Sequence, residues 1–383
     1  MFGTKRGKDN GAALFHIGSG SVGIAYTDLG KEKPTVHYAK RRFFEEREKP
    51  SVDRYLSRVL WAATSAATEM AMNKEFSSFK EVHCFIPSLL TYREVRKIHY
   101  KGASFKVTHD LVANLVKKEI ETLAGEDPAK KDKVLLEQKI LDIQLNGYSI
   151  ADPYNKQADS MMVTLFVSYT EKVIVEKLKN IVHQVFHTDN TLFHGTPLSL
   201  YATVGMLFPK EENFTLLNVS SEVSDLIVSV DNDLTQIISF PFGRNTFLRL
   251  LAREMGVEMS EAHSILGLYK SEKLNEKSRT RTEGALAVIQ GMWKESFKRT
   301  IEEGKLRGGL PARILIVSDP SVSSFFPEWF KESRRELFST EDSENFSIKE
   351  LDTAVFSKKI DNAHKESLDP MLILLSLFTN GLK

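Results

Sequence analysis

The chain has 383 residues, a length that predicts two or three domains. Hydrophobic residues make up 42% and charged residues 27%, which excludes intrinsic disorder, a collagen-like repeat and a polytopic membrane protein. Lys and Arg total 52 against 51 Asp and Glu, so no overall positive field would draw the protein to nucleic acid or anionic lipid.

The cysteine content and the apolar runs indicate a cytoplasmic protein. The single cysteine, Cys84, excludes an intrachain disulfide and fits a reducing compartment. Residues 1–10 are polar and basic with no long apolar run behind them, so they do not form a secretory signal. The apolar run 371–378 is far shorter than the roughly 20 residues that span a bilayer, and it predicts a buried helix.

The first predicted elements are a three-stranded antiparallel meander, a helix and a buried strand. Gly18 and Gly20 mark the first turn of the meander, and Asp28 and Gly30 mark the second. The helix is predicted from apolar residues at helical spacing. The strands are 12–17, 22–27, 34–42 and 82–86, and the helix is 53–73.

A segment with a different order of elements follows. Thr108 and Asp110 are capping candidates for an amphipathic helix. The order of strand, helix, strand, strand and helix predicts a compact α+β insert. The strands are 93–107, 139–148 and 161–169, and the helices are 108–123 and 171–185.

The order of three strands and a helix at the start of the chain occurs a second time after this insert. This repetition predicts two related lobes, each built on a mixed sheet. The repeated strands are 214–219, 226–230 and 235–240, followed by helix 246–255, a largely helical charged segment 255–309 and a final buried strand 314–317. For the aromatic cluster after that strand, core packing is favoured over a partner-binding surface; its members are Phe325, Phe326, Trp329 and Phe330.

The spacing of Gly18, Gly20 and Gly23 matches the dinucleotide-binding fingerprint. That fingerprint needs a helix directly after the third glycine, because the helix N-terminus faces the pyrophosphate. The residues after Gly23 predict a strand and a turn instead. An NAD-dependent enzyme is therefore the least favoured function.

The glycine-rich turn is better explained as a phosphate loop within a β-hairpin. The backbone N–H groups opened by Gly18 and Gly20, with the hydroxyls of Ser19 and Ser21, would hold phosphate oxygens. Two such hairpins facing each other would form a nucleotide clamp across an interdomain cleft, and two simple tight turns are the alternative. The facing hairpin of the second lobe supplies Ser220, Ser221 and Ser224.

Three histidines are candidate ligands for a metal ion. His183 and His187 lie four residues apart on a predicted helix, and His194 follows. Imidazoles at that spacing can share a metal ion. Asp189 is the only close carboxylate in the sequence and no Glu follows His183, so we predict no metal site.

The order of elements resembles the actin-like ATPase superfamily, and within it the FtsA family of cell division and the PilM family of pilus assembly. The segment from Leu145-Asn146-Gly147-Tyr148 to Asp152-Pro153-Tyr154-Asn155-Lys156 resembles the insert of these families, and Pro87-Ser88 with Arg93-Glu94-Val95-Arg96 resembles its entry. The resemblance implies a two-lobed α/β fold, a duplicated ribonuclease-H-like fold. The first lobe would carry an α+β insert of the SHS2 type, and the second lobe a helical insert. The implied subdomains are 1A (1–90 and 189–205), 1C (91–188), 2A (206–256 and 310–383) and 2B (257–309).

Several family positions that bind nucleotide are altered in this sequence. Without the two carboxylates that organise the water shell of Mg²⁺, in-line hydrolysis loses its positioning, and side chains in place of glycine crowd the phosphate and the base. The resemblance therefore implies a degenerate clamp that no longer hydrolyses ATP, with no catalytic residue. The altered positions are His16 and Asn218 (the carboxylates), Ser220 and Ser221 (a glycine pair), His263 (ribose), and Ser318 and Asp319 (the adenosine glycines), whereas Ser224, Asp225 and Gly243 are kept.

The resemblance implies a scaffold at the cytoplasmic face of the inner membrane. Such scaffolds recruit the cytoplasmic tails of membrane proteins, self-associate, or do both. FtsA carries a C-terminal membrane helix, whereas this sequence ends at Leu382-Lys383, directly after its predicted last helix. We therefore expect PilM-like attachment through a partner rather than through lipid. The alternative is a working ATPase or ATP-binding switch that binds Mg²⁺-ATP through Ser19, Ser21, Ser224 and Asp225.

Overall fold

The computed structural model describes residues 11–30, 32–44, 52–73, 79–126, 132–304, 309–338, 346–363 and 368–382. Residues 1–10, for which no secretory signal is predicted, lie outside the described residues. The described part of the chain contains no helix that combines the length and the hydropathy needed to cross a membrane.

The two lobes contain mixed sheets of the same topology. The first sheet consists of β1 (Gly11–Ile17), β2 (Ser21–Asp28), β3 (Thr35–Phe43), β4 (Glu81–Ile86), β9 (Thr191–Gly195) and β15 (Asp361–Asn362). The second consists of β10 (Phe214–Val219), β11 (Ser224–Val230), β12 (Asp233–Phe240), β13 (Arg313–Ser318) and β14 (Ser347–Glu350). The orders β3-β2-β1-β4-β9 and β12-β11-β10-β13-β14 are equivalent, with an antiparallel meander on one side and parallel strands on the other. The predicted duplication is confirmed.

Strand β1 is buried along its whole length because both faces of the first sheet are covered. Ala12 and Leu14 face the core between the two sheets, and Ala13, Phe15 and Ile17 face the outer core of the first lobe. Strand β2 begins at Ser21, directly after the glycine-rich turn. The dinucleotide fingerprint therefore has no helix after Gly23, which is the outcome expected from the sequence.

Helices cover the outer face of each lobe, and two helices lie between the sheets. The outer helices of the first lobe are α1 (Val52–Ala71) and α3 (Lys172–Phe186). Those of the second lobe are α5 (Arg244–Met255), α6 (Met259–Lys270), α7 (Glu276–Glu303) and α8 (Phe325–Leu337). Between the sheets, α4 (Thr196–Leu207) and α10 (Pro370–Gly381) share one hydrophobic cluster with strands of both lobes, and the short α9 (Thr353–Phe356) contributes Phe356 to it.

The insert contains a third, antiparallel sheet in the order β5-β8-β6-β7. Its elements are β5 (Thr91–Lys106), α2 (His109–Glu126), β6 (Lys133–Leu145), β7 (Tyr148–Ser149) and β8 (Gln157–Glu171). Helix α3 was predicted as part of this insert. Its apolar residues Ile174, Leu178 and Val182 pack instead with α1 in the outer core of the first lobe.

The insert is attached to both lobes through polar contacts. The carboxylate of Glu137 on β6 accepts hydrogen bonds from the Gly195 N–H (2.8 Å) and the Ser168 hydroxyl (3.0 Å), and burial raises its pKa to about 7. On the other side, Arg93 of β5 donates to Ser239 of β12 at 3.1 Å. The insert therefore bridges the first and the second lobe.

Several elements are absent from the sequence predictions. The strand 314–317 is not the final one, because β14 and β15 follow it, and β9, α4 and α8 were not assigned from the sequence. The aromatic cluster is confirmed as core: Phe326, Trp329 and Phe330 are buried, and they surround Trp293 of α7 with ring centroids 5.1 to 6.2 Å from its own.

Replacement of Trp293 by alanine is expected to lower the free energy of unfolding by about 3–5 kcal/mol, because a fully buried indole is removed and a cavity remains. The neighbouring Met292 has 40% of its surface exposed, so Met292→Ala is expected to change the stability by less than about 0.5 kcal/mol. Urea unfolding of the two variants measures both effects. Equal losses would contradict the placement of Trp293 in the core.

Candidate functional site

A cleft lies between the lobes, where the carboxyl ends of β1, β10 and β13 meet. From the first lobe it is lined by His16, Gly18, Ser21, Arg41 and Phe43. From the second lobe it is lined by Asn218, Ser220, Ser221, Arg244, Ser318 and Asp319, and Asp369 at the start of α10 completes it. Its cavity has a volume of only about 50 Å³, whereas small-molecule pockets typically have about 300–1,000 Å³.

The two hairpin turns are in direct contact across this cleft. The hydroxyl oxygens of Ser19 and Ser220 are 2.6 Å apart, and the Glu222 N–H donates to the Ser19 hydroxyl at 2.7 Å. A Cβ atom on Gly20 would lie 2.6 Å from the Cβ of Ser221, so only glycine permits this approach. The hairpins thus meet where a clamped phosphate would have to lie.

One backbone N–H group of each turn is hydrogen-bonded within its own hairpin. The Gly18 N–H donates to the Ser21 carbonyl at 2.8 Å, and the Ser220 N–H donates to the Val223 carbonyl at 3.0 Å. These bonds satisfy the two donors inside their own hairpins. Neither of them needs a phosphate oxygen as its partner.

Gly243, which matches a family glycine in the resemblance, allows α5 to pack closely against the second hairpin. The carbonyls of Ser220 and Ser221 accept hydrogen bonds from the backbone N–H groups of Arg244 (2.9 Å) and Asn245 (2.7 Å) at the start of α5. A Cβ on Gly243 would lie 2.5 Å from the Ser221 carbonyl oxygen. Gly243 therefore serves packing in this structure.

Asp225 and Ser224 are bonded to β12 and the residues that follow it. One carboxylate oxygen of Asp225 accepts from the Ser239 hydroxyl at 2.6 Å, and the other accepts from the Asn218 amide at 3.3 Å. The Ser224 hydroxyl donates to the Phe242 carbonyl. The two kept residues of the second motif are thus held in contacts within the second lobe.

Two charged side chains of the second lobe, Arg244 and Asp319, pair with each other in the cleft. Arg244 lies 3.5 Å from the carboxylate of Asp319, and its guanidinium lies 4.7 Å from the ring centroid of Phe43 in the first lobe. It also donates to the Ser321 hydroxyl at 3.2 Å. An arginine therefore lies against Asp319, one of the two positions where the resemblance implies the adenosine glycines.

A second arginine fills the other end of the cleft. Arg41 donates to the Ser21 hydroxyl at 2.9 Å, lies 3.1 Å from His16 Nδ1, and forms an ion pair with Asp369. Burial, and then the charge of Arg41, lower the pKa of His16 to about 3, so the imidazole is neutral. Burial opposes ionisation of Asp369, but the Arg41 charge and hydrogen bond outweigh it and lower the pKa of this carboxyl.

Some predicted site residues lie elsewhere, and several cleft residues were missed. His263 is exposed on α6 and does not line the cleft. Of the weighed histidines, His183 bonds to Asp189 at 2.9 Å and His194 bonds to His83 at 2.9 Å, and no group of three metal-ligating side chains occurs within the described residues. Among the missed residues are Arg41, Phe43, Arg244 and Asp369.

The fold is similar to that of solved proteins, although no protein-family model and no curated protein matches the sequence. A chain from the PilM-PilN type IV pilus biogenesis complex matches 99% of this chain over 99% of its own length, with a TM-score of 0.62 and 12% identity. The chain has the actin-like ATPase fold of PilM. The resemblance drawn from the sequence is thereby confirmed at the level of the fold.

Two further structures match with lower scores. The ethanolamine utilization protein EutJ from Carboxydothermus hydrogenoformans matches 96% of this chain over 90% of its own, with 12% identity and a TM-score of 0.47. The cytoplasmic domain of EpsL from Vibrio cholerae matches 97% over 94%, with 7% identity and a TM-score of 0.38.

The cleft residues do not fit a magnesium–nucleotide complex. Mg²⁺ prefers carboxylate and phosphate oxygens. The two carboxylates among the described lining residues, Asp319 and Asp369, are each paired with an arginine, and His16 and Asn218, where the resemblance implies carboxylates, are neutral. The cavity is too small for the triphosphate. The two lining carboxylates are already paired with arginines, so they do not serve as ligands for the metal ion.

The buried neutral state of His16 predicts a loss of stability in acid. Its folded pKa of about 3 lies below the unfolded value of about 6.5, so the unfolded chain alone takes up a proton as the pH falls between these values. His16→Asn keeps an acceptor for Arg41 but removes the proton site. Its unfolding free energy is expected to fall less steeply between about pH 6.5 and pH 4, by up to about 1.4 kcal/mol per pH unit.

Urea unfolding across that pH range measures the slope. His183→Asn, at an exposed histidine, is the matched control and should keep the slope of the unmodified protein. Identical slopes for His16→Asn and the unmodified protein would show that His16 is protonated in the folded state.

Proposed function

We propose that the protein is a PilM- or FtsA-like scaffold whose cleft no longer hydrolyses ATP. In this proposal it acts at the cytoplasmic face of a membrane, where it recruits the cytoplasmic tail of a membrane protein in pilus assembly or cell division. The observation that carries the proposal is the closed cleft: the hairpins touch through Ser19 and Ser220, and the remaining cavity measures about 50 Å³.

The loss of hydrolysis follows from the donor set. An in-line displacement on a phosphoryl group needs a metal to neutralise charge and a group to orient the attacking water. His16 is neutral, Asn218 carries no charge, and Asp225 is engaged by Ser239. The residues that remain bind one another rather than a substrate.

The comparison with PilM supports the partner-binding part of the proposal. The solved PilM belongs to a complex with PilN in type IV pilus biogenesis. In a chain with the same fold, closure of the cleft leaves the outer surfaces accessible to a partner of this kind. We also propose the subdomain boundaries given above, except that α3, which packs with α1, is assigned to 1A. Self-association stays part of the proposal.

A groove in the insert offers a place for a partner tail. It has a volume of about 940 Å³ and lies between α2 and β6, where apolar side chains such as Val116, Ile120 and Ile140 line it. Over most of its length, β6 pairs only with β8 among the described residues, and β7 adds two residue pairs at its end. An extended tail would find both apolar contacts and unpaired strand groups there.

Mg²⁺-ATP is expected to leave the melting temperature unchanged, because a ligand stabilises a protein only if it binds the folded state. Differential scanning fluorimetry with Mg²⁺-ATP, and with Mg²⁺ alone as the control, makes the measurement. A ligand at about 100 times its Kd would add about 2.7 kcal/mol to the stability. A saturable rise in the melting temperature would refute the closed-cleft proposal, and release of phosphate would establish the ATPase alternative.

An arginine placed in the groove is expected to weaken capture of the membrane partner. Ala113 is exposed on α2 and lines the groove, so Ala113→Arg fills it with a charged side chain at small cost to folding. Asn114→Arg, on the adjacent exposed position outside the lining, adds the same charge and is the matched control. Affinity capture from native membranes should fall about tenfold or more for the first variant only, which corresponds to about 1.4 kcal/mol. Equal recovery with both variants would exclude the groove.

A further inference from the structure

The guanidinium of Arg41 is bound from three separate elements. It contacts His16 at the end of β1, Ser21 at the start of β2, and Asp369 before α10. A Cβ atom at Gly23 would lie 2.9 Å from Arg41 Nη2, so a glycine in β2 makes the space for this side chain. The arginine is therefore built into the cleft.

Asp369 connects this cation to the helix between the sheets. One of its carboxylate oxygens accepts a hydrogen bond from Arg41 Nε. The other accepts hydrogen bonds from the N–H groups of Met371 (2.8 Å) and Leu372 (3.2 Å) at the start of α10. Helix α10 shares its core with strands of both lobes. The ion pair thus fixes the start of a helix against which both lobes pack.

The positive charge of Arg41 and the negative charge of its partner Asp369 cancel each other. The arginine carries one positive charge, Asp369 carries one negative charge, and His16 is neutral. His16 stands where the resemblance implies a carboxylate for magnesium. A single guanidinium therefore supplies the positive charge that a bound metal would otherwise bring to this end of the cleft.

We propose that Arg41 is a built-in cation that replaces the metal–nucleotide ligand and holds the two lobes closed through Asp369. The proposal rests on the proposed function, since it explains how a cleft without nucleotide stays shut. Closure would then be a constitutive property of the chain, independent of nucleotide supply. Arg244, whose guanidinium lies 4.7 Å from the ring centroid of Phe43 in the first lobe, would act in the same sense.

The distance between the lobes tests the proposal. Spin labels are attached through Thr64→Cys on α1 and Lys277→Cys on α7, two exposed positions on the outer helices of the two lobes. Cys84 is fully buried and burial raises the pKa of its thiol, so it does not compete for the label. The otherwise unmodified protein is expected to give one narrow distance distribution that Mg²⁺-ATP does not change.

Asp369→Asn and Arg41→Met are expected to shift that distribution to longer distances by several ångströms and to broaden it. Asp369→Asn keeps a side chain that caps α10, so it preserves the fold while it removes the ion pair. Arg42→Met is the matched control, because Arg42 is the next residue of β3 and pairs with Glu69 outside the cleft. This control should leave the distance unchanged.

Each outcome decides one question. An unchanged distance in Asp369→Asn would overturn the role of the ion pair, whether or not Arg41→Met folds. An equal opening in Arg42→Met would also overturn it, because any ion pair on β3 would then suffice. Binding of Mg²⁺-ATP to the unmodified protein would refute the closed-cleft proposal instead, and the two failures are therefore distinguishable.

Discussion

The contact between Ser19 and Ser220 depends on two sheets whose first strands end at the same place. Strands β1 and β10 occupy equivalent positions in their sheets, so the tight turn that follows each strand lies at the interface between the two lobes. Two polar turns can touch only if their backbones approach closely, and Gly20 and Gly243 provide the room. The small cavity, the position of α5 and the arrangement of the arginines all follow from this approach.

Most local elements of this fold could be predicted because each lobe begins with a meander whose turns carry Gly, Asp and Asn. The elements that escaped prediction have physical reasons. Helix α4 is apolar on nearly every side because it lies between two sheets, so it lacks the periodicity of a surface helix. Strands β14 and β15 have only four and two residues, too few to establish an alternating pattern.

The site was predictable where a hairpin turn rich in glycine or serine marked it, or where the resemblance aligned it with a known motif. His16, Asn218, Ser318 and Asp319 were placed from their neighbours in the sequence, and the structure brings all four to the cleft. His263, assigned in the same way, lies on an exposed helix face. Nothing local marks Arg41 as a cleft residue, because its partner Asp369 is 328 positions away in the chain.

The first lobe is assembled from both ends of the described chain. Strand β15 pairs with β3, and α10 packs on β1 and β2, so the inner cover of the N-terminal meander is complete only after α10 has been synthesised. On the ribosome the second lobe, whose strands and outer helices lie between 214 and 350, can complete its own sheet earlier. The first lobe therefore depends on contacts of longer range along the chain than those within the sheet of the second lobe.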